Sequence, residues 1–208
     1  MAAVHRSLIE LYMNKPIYVG QAILDLSKVI MYEFLYDHLI PTFGDRIQLL
    51  YMDTDAYMLS IKTEDYVGEM LPCLDYYDTS NLDVTDPLYS EKNKKVLGKF
   101  KSEVGSEEIK AFVGLRPKCY SILLANGGAI KKAKGVKKRA VKTKITFEHY
   151  FKCLMDEKNL LVTFSRFQSK DHIIQTIRQS KIAMSSIDNK FFILPGGIKT
   201  LPHGHKSL

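Results

Sequence analysis

Arg46-Ile-Gln-Leu-Leu-Tyr-Met52, Asp53-Thr54-Asp55 and Ala56-Tyr-Met-Leu-Ser-Ile61 follow one another without a break. Two apolar runs rich in β-forming residues flank a short acidic link, an order that predicts a β-hairpin. Asp53 and Asp55 are two positions apart, so on extended chain they project from one face, about 6–7 Å apart at the backbone. From there their oxygens can converge on a hard cation such as Mg²⁺. Ile47, Leu49 and Tyr51 share that parity, although a turn can rotate the acids away from them. An acidic pair at a buried hairpin tip is costly unless a cation or hydrogen-bond donors neutralise it. Two ions about 4 Å apart can hold the attacking and leaving oxygens of an in-line phosphoryl displacement. Two carboxylates are too few for such a pair, so a further acid must come from elsewhere. The plainer reading is a polar turn, since Asp favours turns by bonding nearby backbone.

Upstream of the hairpin, one long helix is expected from about Ile17 to Leu39, with Pro16 tolerated at its first turn. Ile23, Leu26, Ile30 and Phe34, with Met31 or Leu35, recur at helical spacing. These positions are expected in the core, as are Leu49, Tyr51 and Leu59. Pro41 and Gly44 are expected to stop the helix. Downstream, a helix is expected over Glu64 to Leu71, then loop from Asp75 to Asp86. Strands are expected at Lys99–Glu103, Ile109–Leu115 and Lys118–Leu124, with a turn at Asn126-Gly-Gly128. A second unit opens with a helix near Phe147 to Glu157, for which Thr146 suits the N-cap. Strands follow at Leu160–Phe167 and Ile173–Met184, then a turn at Ser186–Asn189, the run Lys190–Leu194, and an irregular tail. His203-Gly-His205 in that tail has no companion Cys or acid and is not read as a metal site.

The chain has 208 residues, room for one large domain or two small ones. Its formal charge is +7, and the excess is local. Lys131, Lys132, Lys134, Lys137, Lys138, Arg139, Lys142 and Lys144 lie together with no acid among them; the remainder carries 22 basic against 23 acidic residues. Such a cluster is the electrostatic footprint of a polyanion, or else a solvated loop or import signal. Its spacing is not helical, so a flexible or strand-like connector is expected. Cys73, Cys119 and Cys153 are odd in number and form no Cys-x-x-Cys pair, which argues against disulfides or zinc and for a reducing, intracellular setting. The longest apolar stretch, Ile17 to Ile40, contains Asp25, Lys28, Glu33 and Asp37, which argues against a membrane span. His5, Arg6 and Glu10 interrupt any signal-peptide run.

Tyr51-Met-Asp-Thr-Asp55 resembles motif C of family-B DNA polymerases, Tyr-x-Asp-Thr-Asp. The resemblance is nearest to the protein-primed polymerases of Maverick/Polinton-type transposons and related viruses. It runs in order through Lys15-Pro-Ile-Tyr-Val-Gly20, Leu26 to Glu33, Tyr77-Asp-Thr-Ser80 and Leu97-Gly-Lys-Phe-Lys101. It continues through Phe112-Val-Gly-Leu-Arg-Pro-Lys-Cys-Tyr120, Lys134-Gly-Val136 and Asp188-Asn-Lys190. It implies an α+β fold, with a palm-type antiparallel sheet and packed helices over 1–128 and a basic connector and small α/β thumb over 129–208. It implies that Asp55 is a direct metal ligand and that Asp53 assists, making both catalytic candidates, with Tyr51 and Thr54 in support. Two Mg²⁺ or Mn²⁺ ions are expected only in a complete site. Lys118 and Tyr120 match the family's Lys-x-Tyr motif, which contacts the primer strand. Lys131, Lys132, Lys134, Lys137, Lys138 and Arg139 would hold DNA phosphates without reading sequence.

The chain departs from the family at Ala56, where Ser is usual. No counterpart of motif A, which supplies the other metal-binding Asp, stands upstream of residue 15, and the fingers lysine that binds the incoming triphosphate is also missing. The expected partners are therefore a primer–template duplex, deoxynucleoside triphosphates and an upstream polymerase region, and no membrane. The expected location is intracellular, in a nucleus or virus factory if the host is eukaryotic. The alternatives are an inactive DNA-binding relic of a mobile element and, more remotely, a nuclease that would draw on His149 or His172.

Overall fold

The computed structural model describes residues 14–187, 191–197, 199–202 and 205–206. The expected turn at Ser186–Asn189, the Asp188–Lys190 match and the His203 part of the tail lie wholly or partly outside them. The described chain is a mixed α and β structure of small antiparallel sheets and short helices. It divides into two compact units between Glu108 and Ile109. The expected boundary at 128/129 instead falls in the turn joining two paired strands of one sheet.

In the first unit, α1 spans Ile17–Glu33 and runs into a π-helical turn, Phe34–Leu39, and then α2, Ile40–Phe43. Pro41 thus does not stop the helix. In a regular α-helix its ring would crowd the carbonyl four residues back and its missing N–H would orphan that acceptor. The wider π turn just before it changes the bonding, with Ile40 N–H donating to Leu35 O. The stop comes at Gly44, at φ 54°. Strands β1 (Ile47–Asp53) and β2 (Ala56–Ile61) form the expected antiparallel hairpin. Its inner face packs Ile47, Tyr57, Leu59 and Ile61 on Phe34, Leu35, Leu39 and Phe43. Phe34 stacks on Phe100 at 3.7 Å, and the Tyr57 hydroxyl donates to Met31 O at 2.8 Å.

The predicted core is wrong along α1. Phe34 is buried, but Ile23 and Leu26 are each 63% exposed and Ile30 43%. Leu49 is also exposed, while Tyr51 and Leu59 are half-buried. Helical spacing marks a stripe without saying whether anything covers it. The helix expected over Glu64 to Leu71 is the short α3, Tyr66–Met70, continued by a 3₁₀ segment to Tyr76. Asp65 caps it by accepting from Gly68 N–H at 2.9 Å. The expected strand Lys99–Glu103 reduces to one bridge, Tyr77 with Phe100.

In the second unit, β3 (Ile109–Arg116), β4 (Cys119–Leu124) and β5 (Ala129–Ala133) form an antiparallel sheet in that order. The basic segment, expected to be flexible or strand-like throughout, is β5, a turn at Gly135, and α4, Lys138–Lys144. Helix α5, Phe147–Met155, begins at Thr146, whose N–H donates to His149 Nδ1 at 3.0 Å. Strands β6 (Leu160–Lys170) and β7 (Ile173–Met184) form a long hairpin. Its two-residue turn, Asp171-His172, has both φ angles positive, as a type I′ turn requires. Short strands β8 (Phe191–Ile193) and β9 (Thr200–Pro202) pair last. The core gathers Val113, Leu115, Cys119, Val141, Ile145, Tyr150, Val162 and Met184. Tyr150 is fully buried, and its hydroxyl donates to Lys132 O at 3.0 Å.

Candidate functional site

The acidic link sits where β1 turns into β2. Asp53 is opposite Ala56, so Thr54 and Asp55 form the loop. Asp55 N–H donates to Asp53 O at 2.6 Å, and Thr54 has φ 55°. The chain is therefore not extended between the two acids, and the same-face argument from strand alternation does not apply. A different feature sets their direction. The register slips between Leu49 and Tyr51, so Leu49 pairs with Leu59 but Tyr51 pairs with Met58. This bulge reverses the parity of the strand end. Ile47 and Leu49 sit opposite the core-facing Ile61 and Leu59, whereas Tyr51 and Asp53 sit opposite Met58 and Ala56, on the other face.

The tip is also not buried. Asp55 and Thr54 are exposed and Asp53 half-exposed, so the cost of burying an acidic pair does not arise there. Thr54 Oγ1 lies 3.4 Å from Asp53 Oδ1, at the long edge of a hydrogen bond. Two carboxylates and a hydroxyl are hard oxygen donors that suit Mg²⁺ or Mn²⁺ in kind. In number they fall short. Among the described residues, no group of three or more His, Cys, Asp or Glu side chains is gathered to hold an ion. The donor set is thus incomplete within the described chain.

The loop after α3 is fixed by two residues whose roles the sequence did not announce. Asn93 Nδ2 donates to Leu74 O at 3.1 Å and Tyr77 O at 2.9 Å. Asp78 is buried and accepts from the backbone N–H groups of Ser80 (3.0 Å) and Lys95 (3.1 Å), and from Lys101 Nζ (3.1 Å). The Ser80 hydroxyl first, then these backbone donors and the Lys101 ammonium, hold its carboxyl well below the usual range against the effect of burial. His38 is buried too, stacked on Tyr76 at 4.1 Å, and burial lowers its pKa.

In the second unit, Lys118 and Tyr120 lie at one end of the sheet. Pro117 and Lys118 form the turn from β3 to β4, with Lys118 exposed at φ 59°. Proline followed by a residue of positive φ suits a type II turn. Lys134 N–H donates to Lys118 O at 3.0 Å, which places Lys134 beside it. Tyr120 is the cross-strand partner of both Gly114 and Lys132. Gly114 has no side chain to stand there, and a Cβ would meet the Phe112 ring at 3.1 Å. The Phe112 and Tyr120 rings are 5.9 Å apart. Two aromatic rings and the bases Lys118, Lys132 and Lys134 thus share one end of the sheet, a pairing of stacking surface with positive charge. Phe112 carries no charge, and it is the strand register that brings its ring to Tyr120.

The remaining bases separate into two kinds. Lys132, Lys134, Lys138 and Arg139 are exposed. Lys131 turns inward instead, donating to Lys142 O at 3.1 Å in the last turn of α4 and to Ile145 O at 2.6 Å just beyond it. Lys137 donates to Ser165 O at 3.0 Å. His149 is occupied in the cap of α5. Cys119 and Cys153 are buried, and burial pushes both thiols up, which makes them poor nucleophiles. Among the described residues no helix is long and apolar enough to cross a membrane. Comparison with family models, with curated proteins and with solved structures found no match to this chain.

Proposed function

We propose that this chain is the downstream part of a DNA polymerase catalytic region, completed by another segment that brings the missing acid. In this reading the hairpin unit belongs to the palm and the later part of the second unit to the thumb. The reaction of the whole is template-directed addition of deoxynucleotides to a DNA 3′ end. The observation that carries the reading is the hairpin itself. Asp53 closes a strand, Asp55 stands exposed in a two-residue link, and the bulge at Leu50 turns Tyr51 and Asp53 off the core-facing side. Carboxylates so presented remain accessible to a cation and to a partner acid. The aromatic and basic end of the sheet in the second unit suits contact with a nucleic-acid strand.

The test is an extension assay with primer–template, deoxynucleoside triphosphates and Mg²⁺ or Mn²⁺, with and without an upstream segment carrying motif A. Extension is expected only in the mixture, and Asp55→Asn should reduce it by at least about a hundredfold, as removing a charge-stabilising group does. Extension that survives Asp55→Asn would sink the assignment. A second reading, an inactive DNA-binding relic, is favoured by the lack of a third acid gathered with the pair among the described residues. It predicts salt-sensitive duplex binding and no extension in either arm.

A further inference from the structure

Asn126-Gly127-Gly128 lies in the turn from β4 to β5, at the end of the sheet opposite Pro117-Lys118. All three residues are exposed. Gly128 N–H donates to Asn126 Oδ1 at 2.7 Å. Gly127 N–H donates to Leu124 O at 3.0 Å, and Leu124 N–H to Gly128 O at 2.9 Å. Asn126 is the one asparagine of the chain that precedes a glycine; Asn14, Asn81, Asn93, Asn159 and Asn189 precede Lys or Leu. Asn81 and Asn93 are also held through their amide nitrogens, Asn81 to Ser102 O at 2.7 Å and Asn93 to Tyr77 O at 2.9 Å.

We propose that Asn126 is a site of spontaneous modification, converted through a cyclic imide to aspartate and isoaspartate. The Gly127 nitrogen loses its proton to hydroxide and bonds to Asn126 Cγ. The Cγ–Nδ2 bond breaks and ammonia leaves, so no oxidant or reductant is needed. Water then opens the imide at either carbonyl. Opening at Cγ leaves aspartate, and opening at the main-chain carbonyl leaves isoaspartate, whose chain runs through Cγ. Three features select this position. Gly127 has no Cβ to crowd its nitrogen as it reaches the side-chain carbon. The Gly128 N–H already points at Oδ1, where negative charge gathers as the new bond forms, so it acts as an oxyanion donor. The turn is exposed, which makes the local opening that frees Gly127 N–H from Leu124 O inexpensive. The isoaspartyl product lengthens the main chain of the turn and adds a carboxylate between β4 and β5. The inference is independent of polymerase activity.

Incubation of the whole chain at about pH 8 and about 37 °C, followed by tryptic mass analysis, tests it. Cleavage after Lys118 and Lys131 releases residues 119–131, in which Asn126 is the one side-chain amide. That peptide should gain about 1 Da over the sample taken before incubation, and fragmentation should resolve isoaspartate as well as aspartate. The modified fraction should exceed that at Asn81 or Asn93 at least about tenfold, because Leu82 and Lys94 carry the Cβ that Gly127 lacks. The rate should rise from about pH 7 to about pH 9, since the attacking nitrogen must lose its proton. Asn126→Gln should abolish the gain, because its longer side chain has a larger ring to close; circular dichroism checks that this variant is folded. An unmodified 119–131 peptide, aspartate without isoaspartate, or equal modification at Asn81 and Asn93 overturns the proposal.

Discussion

Thr54 is the residue at which local preference and position conflict most plainly. A β-branched side chain at positive φ is strained, and such strain costs on the order of 1–3 kcal/mol. Thr54→Gly should therefore raise stability by about 1 kcal/mol, read as a shift in the urea midpoint at unchanged slope. A fall in stability would show that the Thr54 hydroxyl contact with Asp53 outweighs the strain. His38 gives a second expectation. Burial lowers its pKa below the ordinary 6.5, so the folded state prefers the neutral ring. Its contribution to stability is then fully present above about pH 6.5 and is lost as pH falls from there toward the folded pKa. Urea midpoints at pH 7.5 and pH 5.5 should differ more for wild type than for His38→Phe; equal differences would remove His38 as the cause. Neither residue could be weighed from sequence, because Thr54 is an ordinary turn neighbour until its φ is known, and His38 is one more polar residue until Tyr76 is stacked on it.

Strand pairing was legible wherever composition and local turn chemistry agreed. The β1–β2 hairpin follows from two apolar runs around Asp-Thr-Asp, and the strands β3 and β4, though not their pairing through a turn at Pro117-Lys118, from β-rich runs. The helix α5 and its Thr146 start were readable for the same reason. What could not be read depended on partners distant in sequence. The basic segment resolves into β5 and α4 because Cys119 to Leu123 offer a partner strand and because Ala140 and Val141 have a core to enter. The π turn at Phe34–Leu39 absorbs Pro41, a compensation that no local rule supplies. The bulge at Leu50 was equally hidden, and it reversed the face on which the candidate acid Asp53 stands.

For the whole chain, the +7 charge supports the proposed nucleic-acid contact, and its distribution decides how to test it. Replacing the exposed Lys132, Lys134 and Lys138 together with alanine should weaken duplex binding alike for all sequences. It should also flatten the slope of log affinity against log salt by about 2–3, near 0.9 for each phosphate no longer neutralised. An unchanged slope would separate these lysines from DNA. Lys131 must stay out of that series, since its ammonium joins β5 to carbonyls at and beyond the end of α4. Lys137, Lys144 and Lys181 are likewise committed, to Ser165 O, Thr163 O and Gly135 O. Acylation of this stretch would consequently have two distinct effects. At Lys132 or Lys138 it would only erase a charge that faces solvent, whereas at Lys131 it would unpin two pieces of backbone from each other.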